Sequence, residues 1–257
     1  MQAIEDQTRR RHLRMIPLPN NAEIFPDGES VARAAADRLV TLCAESKQER
    51  IAICLSGGST PKRLYTLLGG PDYVGALPWE RLHWFFGDDR FVPWTHEASN
   101  MHMARAAFGD APIPEGHLHG IPTDGTLDSA VSAYAATLSD FYGADSLDPA
   151  RPLFDLVLLG LGEDGHTASL FPGKPAVNER ESWVAAVPEA GLTPFVPRVT
   201  LTFPALASSR QLLVLVTGAG KREPLTRIAG GEDLPARHIS SVGSLTWLLD
   251  RAAADLG

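Results

Sequence analysis

Three clusters of residues in this sequence are suited to chemistry on a small anionic substrate. In LLGLGEDGHTASLFPG (Leu158–Gly173), glycines at 160, 162 and 165 surround Asp164 and His166. A carboxylate two residues from an imidazole accepts from one ring nitrogen, fixes the tautomer and leaves the other nitrogen to act as a base. A histidine packed structurally over a loop is the plainer reading. In LSGGSTP, Gly57 and Gly58 let the backbone approach an anion, and Ser56, Ser59 and Thr60 offer hydroxyls. A helix starting there turns its free N–H groups and positive dipole end toward the same point. The alternative is a tight turn capped by Ser or Thr, with Thr60 the cap and Pro61 at the first helical position. In FFGDDRFVP, Asp88, Asp89 and Arg90 stand between apolar flanks that pull their turn against the body of the protein; a solvated turn is the other reading.

Two further cations, Arg198 opening RVTLT and Lys221 following TGAG, read individually as surface charges. Together with the SGGST amides they make a phosphate cradle, provided that all these segments meet. Lys221 is not part of a P-loop, because the spacing fails and Arg222 stands where Ser or Thr is needed.

Gly160-x-Gly162-x-x-Gly165 also spells the dinucleotide fingerprint. That fingerprint must open a full helix and be followed by an acid about twenty residues on, at the end of the next strand. Here Pro172 and Pro175 stop any helix early, and Glu179 and Glu181 precede the strand-like SWVAAV. The glycines therefore read as a turn that presents Asp164 and His166. GxSxG is absent, so no nucleophile elbow is present.

The segments that must hold these residues alternate between strand and helix. GESVARAAADRLVTLCAES sets Val31, Ala35, Leu39 and Leu42 at helical spacing, and IAICLS (Ile51–Ser56) is a short apolar run suited to a strand covered on both faces. LHWFFG is the next strand. Ser99 caps a helix in NMHMARAAF, and LDSAVSAYAATLSDFYG is another helix. FDLVLLG (Phe154–Gly160), SWVAAV, RVTLT and RQLLVLVT read as strands; KREPLTRIAG and GSLTWLLDRAAAD read as helices. The pattern predicts a mostly parallel sheet between helices, as one α/β domain over 21–257 after a solvated lead-in at 1–20. Ligands in such sheets sit beyond the carboxyl ends of the strands, which selects SGGST, GDDR, GLGEDGH and TGAGK as walls of one crevice.

Composition narrows the function classes. The chain has 257 residues, 44% hydrophobic and 21% charged, and a net charge of −8. That balance argues against nucleic acid as the main partner, since a phosphate backbone needs a dense basic face. No apolar run reaches the ~18 residues of a membrane span. RRRHLR (Arg9–Arg14) has no apolar segment after it and fails as a secretory signal. Cys43 and Cys54 have no CxxC partner or nearby His ligands, so the reading is two buried thiols, no zinc site and a reducing compartment, the cytoplasm.

LSGGSTPKRLY, FFGDDRFVP, SNMHMAR, DLVLLGLGEDGHTASLFPG, PRVTLTFPAL and WLLDRAAAD together resemble the 6-phosphogluconolactonases of the glucosamine-6-phosphate isomerase/6-phosphogluconolactonase family. The resemblance implies a Rossmann-like three-layer α/β sandwich, as in the phosphosugar deaminases and ribose-5-phosphate isomerase, with no cofactor and no metal. It implies hydrolysis of 6-phospho-D-glucono-1,5-lactone to 6-phospho-D-gluconate by a monomer or weak homodimer. On that reading His166, Asp164, Arg90 and Asp88 form the catalytic group, and Ser56, Gly57, Gly58, Ser59, Thr60, Arg198 and Lys221 bind the phosphate. Arg90 either stabilises developing charge or holds substrate hydroxyls through Asp88. One departure is that DDR stands where the family usually has DER, so Asp89 is a methylene short. The alternatives are a glucosamine-6-phosphate deaminase-like enzyme and a non-catalytic phosphosugar sensor. Phe171 occupies the place of the deaminase's ring-opening acid, and the presence of both Asp164 and His166 speaks against a sensor.

Overall fold

The computed structural model describes residues 18–255. Arg9–Arg14 lie outside the described residues. After β1 (Ala22–Phe25) comes α1 (Gly28–Glu45), capped by Asp27, whose carboxylate accepts from Ser30 N at 2.8 Å. The stripe of Val31, Ala35, Leu39 and Leu42 is the buried face of α1, as its helical spacing requires. There follow β2 (Ile51–Leu55), α2 (Ser59–Gly69), β3 (Leu82–Phe86), β4 (Asp88–Arg90), α3 (Asn100–Phe108), β5 (Leu118–His119) and α4 (Leu127–Tyr142). The chain continues through β6 (Phe154–Gly160), β7 (Val184–Val187), β8 (Arg198–Leu201), α5 (Phe203–Ala207), β9 (Ser209–Val216), α6 (Arg222–Ala229) and β10 (Ser244–Asp250).

Seven strands form one sheet in the order β1-β10-β9-β6-β2-β3-β5, parallel at every pairing. β6 is its middle strand, flanked by β2 and β9, so the loops leaving β2, β6 and β9 are neighbours at one end. β2 is buried at every position, and so is β6 up to Gly160, which explains why neither sequence alternates apolar with polar residues. The one charge inside β6, Asp155, is satisfied there: it accepts from Ala52 N, Gln48 Nε2 and Arg210 Nε. Cys43 and Cys54 are buried and unpaired, and burial pushes both thiols up. No helix among the described residues is long and apolar enough to cross a membrane.

A second, three-stranded antiparallel sheet in the order β4-β8-β7 stands apart from the first. Asp88–Arg90 is therefore a strand, not the turn that its charges suggest. It is held because Gly87 N donates to Leu55 O while Leu201 N donates to Gly87 O, handing the chain from one sheet to the other. SWVAAV and RVTLT belong to this small sheet.

Two further sequence expectations are corrected. GSLTWLLDRAAAD does not form a helix: Ser244–Asp250 is β10, between β1 and β9, and only a short turn follows it. Trp247, Leu248 and Leu249 are consecutive and all buried, which a strand covered on both faces allows and an amphipathic helix does not. Thr60 does not cap α2. The helix begins two residues earlier, after Gly58 at φ +108°, so Pro61 falls at its third position. Thr60 instead shares a 2.6 Å hydrogen bond with the hydroxyl of Thr217, tying the start of α2 to the end of β9.

At the β5 edge three imidazoles stack. His83 lies 4.0 Å from His117 between ring centroids, its Nδ1 is 3.1 Å from His119 Nε2, and His119 lies flat on Phe85. Burial, reinforced by the neighbouring imidazoles and Arg50, pulls both His83 and His119 down to about 4. The unfolded chain protonates these groups near ~6.5 and binds more protons than the folded one between those limits. Stability is thus fully present above that range and is lost as pH falls through it. The melting temperature should drop between pH 7 and 5, and His119→Phe should flatten that drop in parallel thermal scans.

Candidate active site

The turn after β6 owes its shape to its glycines. Gly162 N donates to His166 O at 2.8 Å, and Gly165, at φ +85°, closes the turn on Gly162 O at 3.1 Å. A Cβ on Gly162 would meet His166 Nδ1 at 2.0 Å and Cε1 at 2.2 Å. The glycine at 162 thus makes room for an imidazole rather than for a pyrophosphate.

His166 Nδ1 lies 2.5 Å from Asp164 Oδ1, and the same oxygen accepts from His166 N at 3.0 Å. The carboxylate accepts from Nδ1–H, so Nε2 carries the free lone pair. Phe171, fully buried, packs against the ring with centroids 4.6 Å apart. Burial alone raises the Asp164 carboxyl, but the hydrogen bond and charge of His166 outweigh it and hold it below the usual carboxylate value. His166 lines a cavity together with Ser56, Gly57, Gly58, Asp88, Arg90, Arg198 and Lys221. Asp164 stands behind the ring.

The opposite wall is the loop after β2. Tyr65 clamps Ser56 from within: Ser56 N donates to the phenol oxygen at 2.9 Å, and the phenol donates to Ser56 O at 2.8 Å. Among the described residues no side chain caps α2, so its first N–H groups stay available beside Ser56–Gly58. Ser59 and Thr60 do not line the cavity, and the Thr60 hydroxyl is taken by Thr217.

The cations arrive from the small sheet. Arg90 and Arg198 are direct partners across β4 and β8, a like-charge pairing that costs stability unless an anion lies between. Arg198 is only 3% exposed, and its guanidinium lies 5.2 Å from the centroid of Phe171. Its Nη2 donates to Pro194 O at 3.2 Å, while its Nε is buried with no partner among the described residues, as is Arg90 Nε. Burial lowers the Arg198 pKa, with the Asp88 carboxylate opposing and Arg90 adding to the fall. Arg90 Nη1 is fixed on Ala98 O at 2.6 Å. Lys221 ends the short turn Ala219–Lys221, reached through Gly218, whose N–H donates to Asp250 at the end of β10.

The neighbouring acids have different duties. Asp88 Oδ2 accepts from the buried Ser169 hydroxyl at 2.5 Å, which pins the loop carrying His166 to β4. Asp89 faces away from the cavity and accepts from Asn100 N, Met101 N and Ser99 Oγ at the start of α3. Burial pushes its carboxyl up to about 6 against the pull of those backbone N–H groups. The shorter acid in DDR thus falls on a helix-capping residue. Asn100, Leu161, Thr167 and Ala168 also line the cavity, and sequence reasoning did not single them out. For Asn100 the available signal was its place right after the Ser99 cap.

Comparisons with known proteins place the chain in a family and a fold. A family model described as glucosamine-6-phosphate isomerases/6-phosphogluconolactonase matches residues 26–247. A 6-phosphogluconolactonase from Synechocystis is 40% identical over 224 residues, covering 85% of this chain and 88% of that protein. The structure of 6-phosphogluconolactonase from Trypanosoma cruzi superposes with a TM-score of 0.81 at 30% identity, covering 94% of this chain and 98% of that one. A monomeric glucosamine-6-phosphate deaminase superposes with a TM-score of 0.75 at 19% identity over 92% of this chain and 100% of its own, a likeness of fold alone.

Proposed function

The chain belongs to the glucosamine-6-phosphate isomerase/6-phosphogluconolactonase family, and from that premise we propose that it hydrolyses 6-phospho-D-glucono-1,5-lactone to 6-phospho-D-gluconate. It is an enzyme, a carboxylic ester hydrolase acting on a lactone of the oxidative pentose phosphate pathway. The observation that carries the mechanism is one cavity lined both by an imidazole bound to Asp164 through Nδ1 and by the Ser56–Gly58 loop with Arg198.

In our reading the phosphate rests on the Ser56–Gly58 backbone and the first amides of α2, between Arg198 and Lys221. The dianion offsets the charge of Arg198, which relieves its facing of Arg90, and supplies an acceptor for the buried Arg198 Nε–H. His166 Nε2 takes a proton from water as the water oxygen bonds to the lactone carbonyl carbon. As the tetrahedral intermediate collapses, the bond from that carbon to the ring oxygen breaks, and His166 returns the proton to the leaving oxygen. Asp164 holds the tautomer and balances the imidazolium. Arg90, fixed on Ala98 O, is the cation we assign to the developing oxyanion, with Asp88 setting the loop position through Ser169.

The deaminase alternative is not favoured: Phe171, in place of an acid, is buried against the imidazole. We also read residues 21–257 as one domain, supported by a hydrophobic core that runs from Val31 to Ala254. We read the protein as cytoplasmic, a monomer or weak homodimer without nucleic-acid or membrane partners, supported by its −8 charge and free buried cysteines.

A coupled assay tests the function. The lactone is generated in place, and 6-phosphogluconate formation is followed against a no-enzyme blank, because the lactone also opens unaided. Hydrolysis well above the blank is expected; ammonia release from glucosamine 6-phosphate without lactone hydrolysis would contradict it. Arg198→Gln should lower kcat/KM by about 10–150-fold, the worth of a charge-assisted hydrogen bond. Most of that loss should appear in KM.

A further inference from the structure

Asn100 is a cavity residue that the lactonase reading leaves without a task. It opens α3, where its backbone N–H is fixed on Asp89 Oδ1 at 2.6 Å, and it is 3% exposed. Its Nδ2 donates to Asp88 O at 2.9 Å and leans toward Asp88 Oδ1 at 3.4 Å. Both of those partners are acceptors. Flipping the amide would set oxygen against oxygen, so the orientation is fixed by chemistry.

The amide oxygen therefore points the other way, toward the phosphate loop. A Cβ built on Gly57 would meet Asn100 Oδ1 at 2.4 Å, so the glycine there accommodates this oxygen. Oδ1 has no hydrogen-bond partner among the described residues, and Asn100 lines the same cavity as His166, Arg90, Arg198 and Lys221. Most groups around it are donors: backbone amides, guanidinium groups and an ammonium group. The Asp88 carboxylate is already engaged by Ser169 and Asn100. A fixed acceptor among donors repels a phosphate oxygen and attracts a hydroxyl hydrogen.

We propose that Asn100 Oδ1 accepts a hydrogen bond from one ring hydroxyl of the bound sugar lactone and makes the enzyme selective for lactones that carry it. The proposal rests on the lactonase reading above. Its test crosses Asn100→Ala with 6-phosphogluconolactones lacking the 2-, 3- or 4-hydroxyl. On the parent lactone the substitution should lower kcat/KM by about 2- to 12-fold, the value of one neutral hydrogen bond. On one deoxy-lactone the same substitution should have no effect, because the wild-type enzyme has already lost that bond there.

An equal loss on the parent and all three deoxy-lactones would mark Asn100 as merely structural and overturn the proposal, as would no loss on the parent. Asn100→Ser, whose hydroxyl is too short to take the place of Oδ1, runs through the same panel so that a poorly folded alanine variant does not decide the matter. Absence of parent-lactone hydrolysis by the wild-type enzyme is a separate outcome: it overturns the lactonase reading, and this proposal with it.

Discussion

Replacing His166 with alanine should lower kcat by ~10²–10⁴-fold, the usual worth of a positioned proton-transfer group. The affinity for 6-phosphogluconate should fall far less, by no more than the worth of the one contact between its carboxylate and the ring. The ring reaches the cavity from the turn after β6, while the phosphate-binding groups come from the loop after β2, from β8 and from the turn after β9. Removing the imidazole leaves every one of those groups in place. Asp164 and His166 are both part-buried, so an alanine leaves the Asp164 carboxylate without its partner but still near water. Folding should survive. Initial rates corrected for spontaneous opening, together with product binding by calorimetry, give the two numbers. A wild-type rate in this variant would end the mechanism.

Gly162→Ala should be nearly as damaging, although it removes no functional group. The new methyl would lie 2.0 Å from His166 Nδ1, 2.2 Å from Cε1 and 2.7 Å from Cγ, distances that no side-chain carbon tolerates. The ring has no room to yield in place. Its Nδ1 is tethered to Asp164 at 2.5 Å, and Phe171 packs against it from within the core. It must swing about χ1 and break the Asp164 bond, which also frees the tautomer. Misplacing a catalytic group by about 1 Å costs on the order of 10²-fold, so kcat should fall by at least that much. Gly162 does not sit at positive φ, so alanine fits its backbone, and the melting temperature should hold. Gly165→Ala is the contrast. There φ is +85° and Leu234 lies 2.7 Å from the added carbon, so stability should fall as well. Full turnover in Gly162→Ala would show that the ring position does not matter.

These effects trace back to signals of unequal clarity in the sequence. β6 and its turn were legible because a two-sided apolar run ends in glycines that surround an acid and a histidine. The convergence of four strand ends followed from the parallel α/β pattern alone. The facing of Arg90 and Arg198 was not legible, since it depends on a second sheet whose strands lie far apart in the chain. The role of Thr60 was hidden for the same reason: its partner, Thr217, belongs to the other half of the fold. β10 was misread because a short apolar run fits a helix or a strand equally well, and only its place between β1 and β9 decides. Asn100 was passed over because the Ser99 cap accounted for its segment, and the cavity wall it forms depends on Asp88 and Gly57 being brought to it.

A crystal structure of the protein with 6-phosphogluconate tests the shared cavity most directly. The phosphate should lie against Ser56–Gly58 and Arg198, with the C1 carboxylate within about 3 Å of His166 Nε2 or one water away. A phosphate bound elsewhere, or a C1 carboxylate out of reach of that nitrogen, would contradict the account.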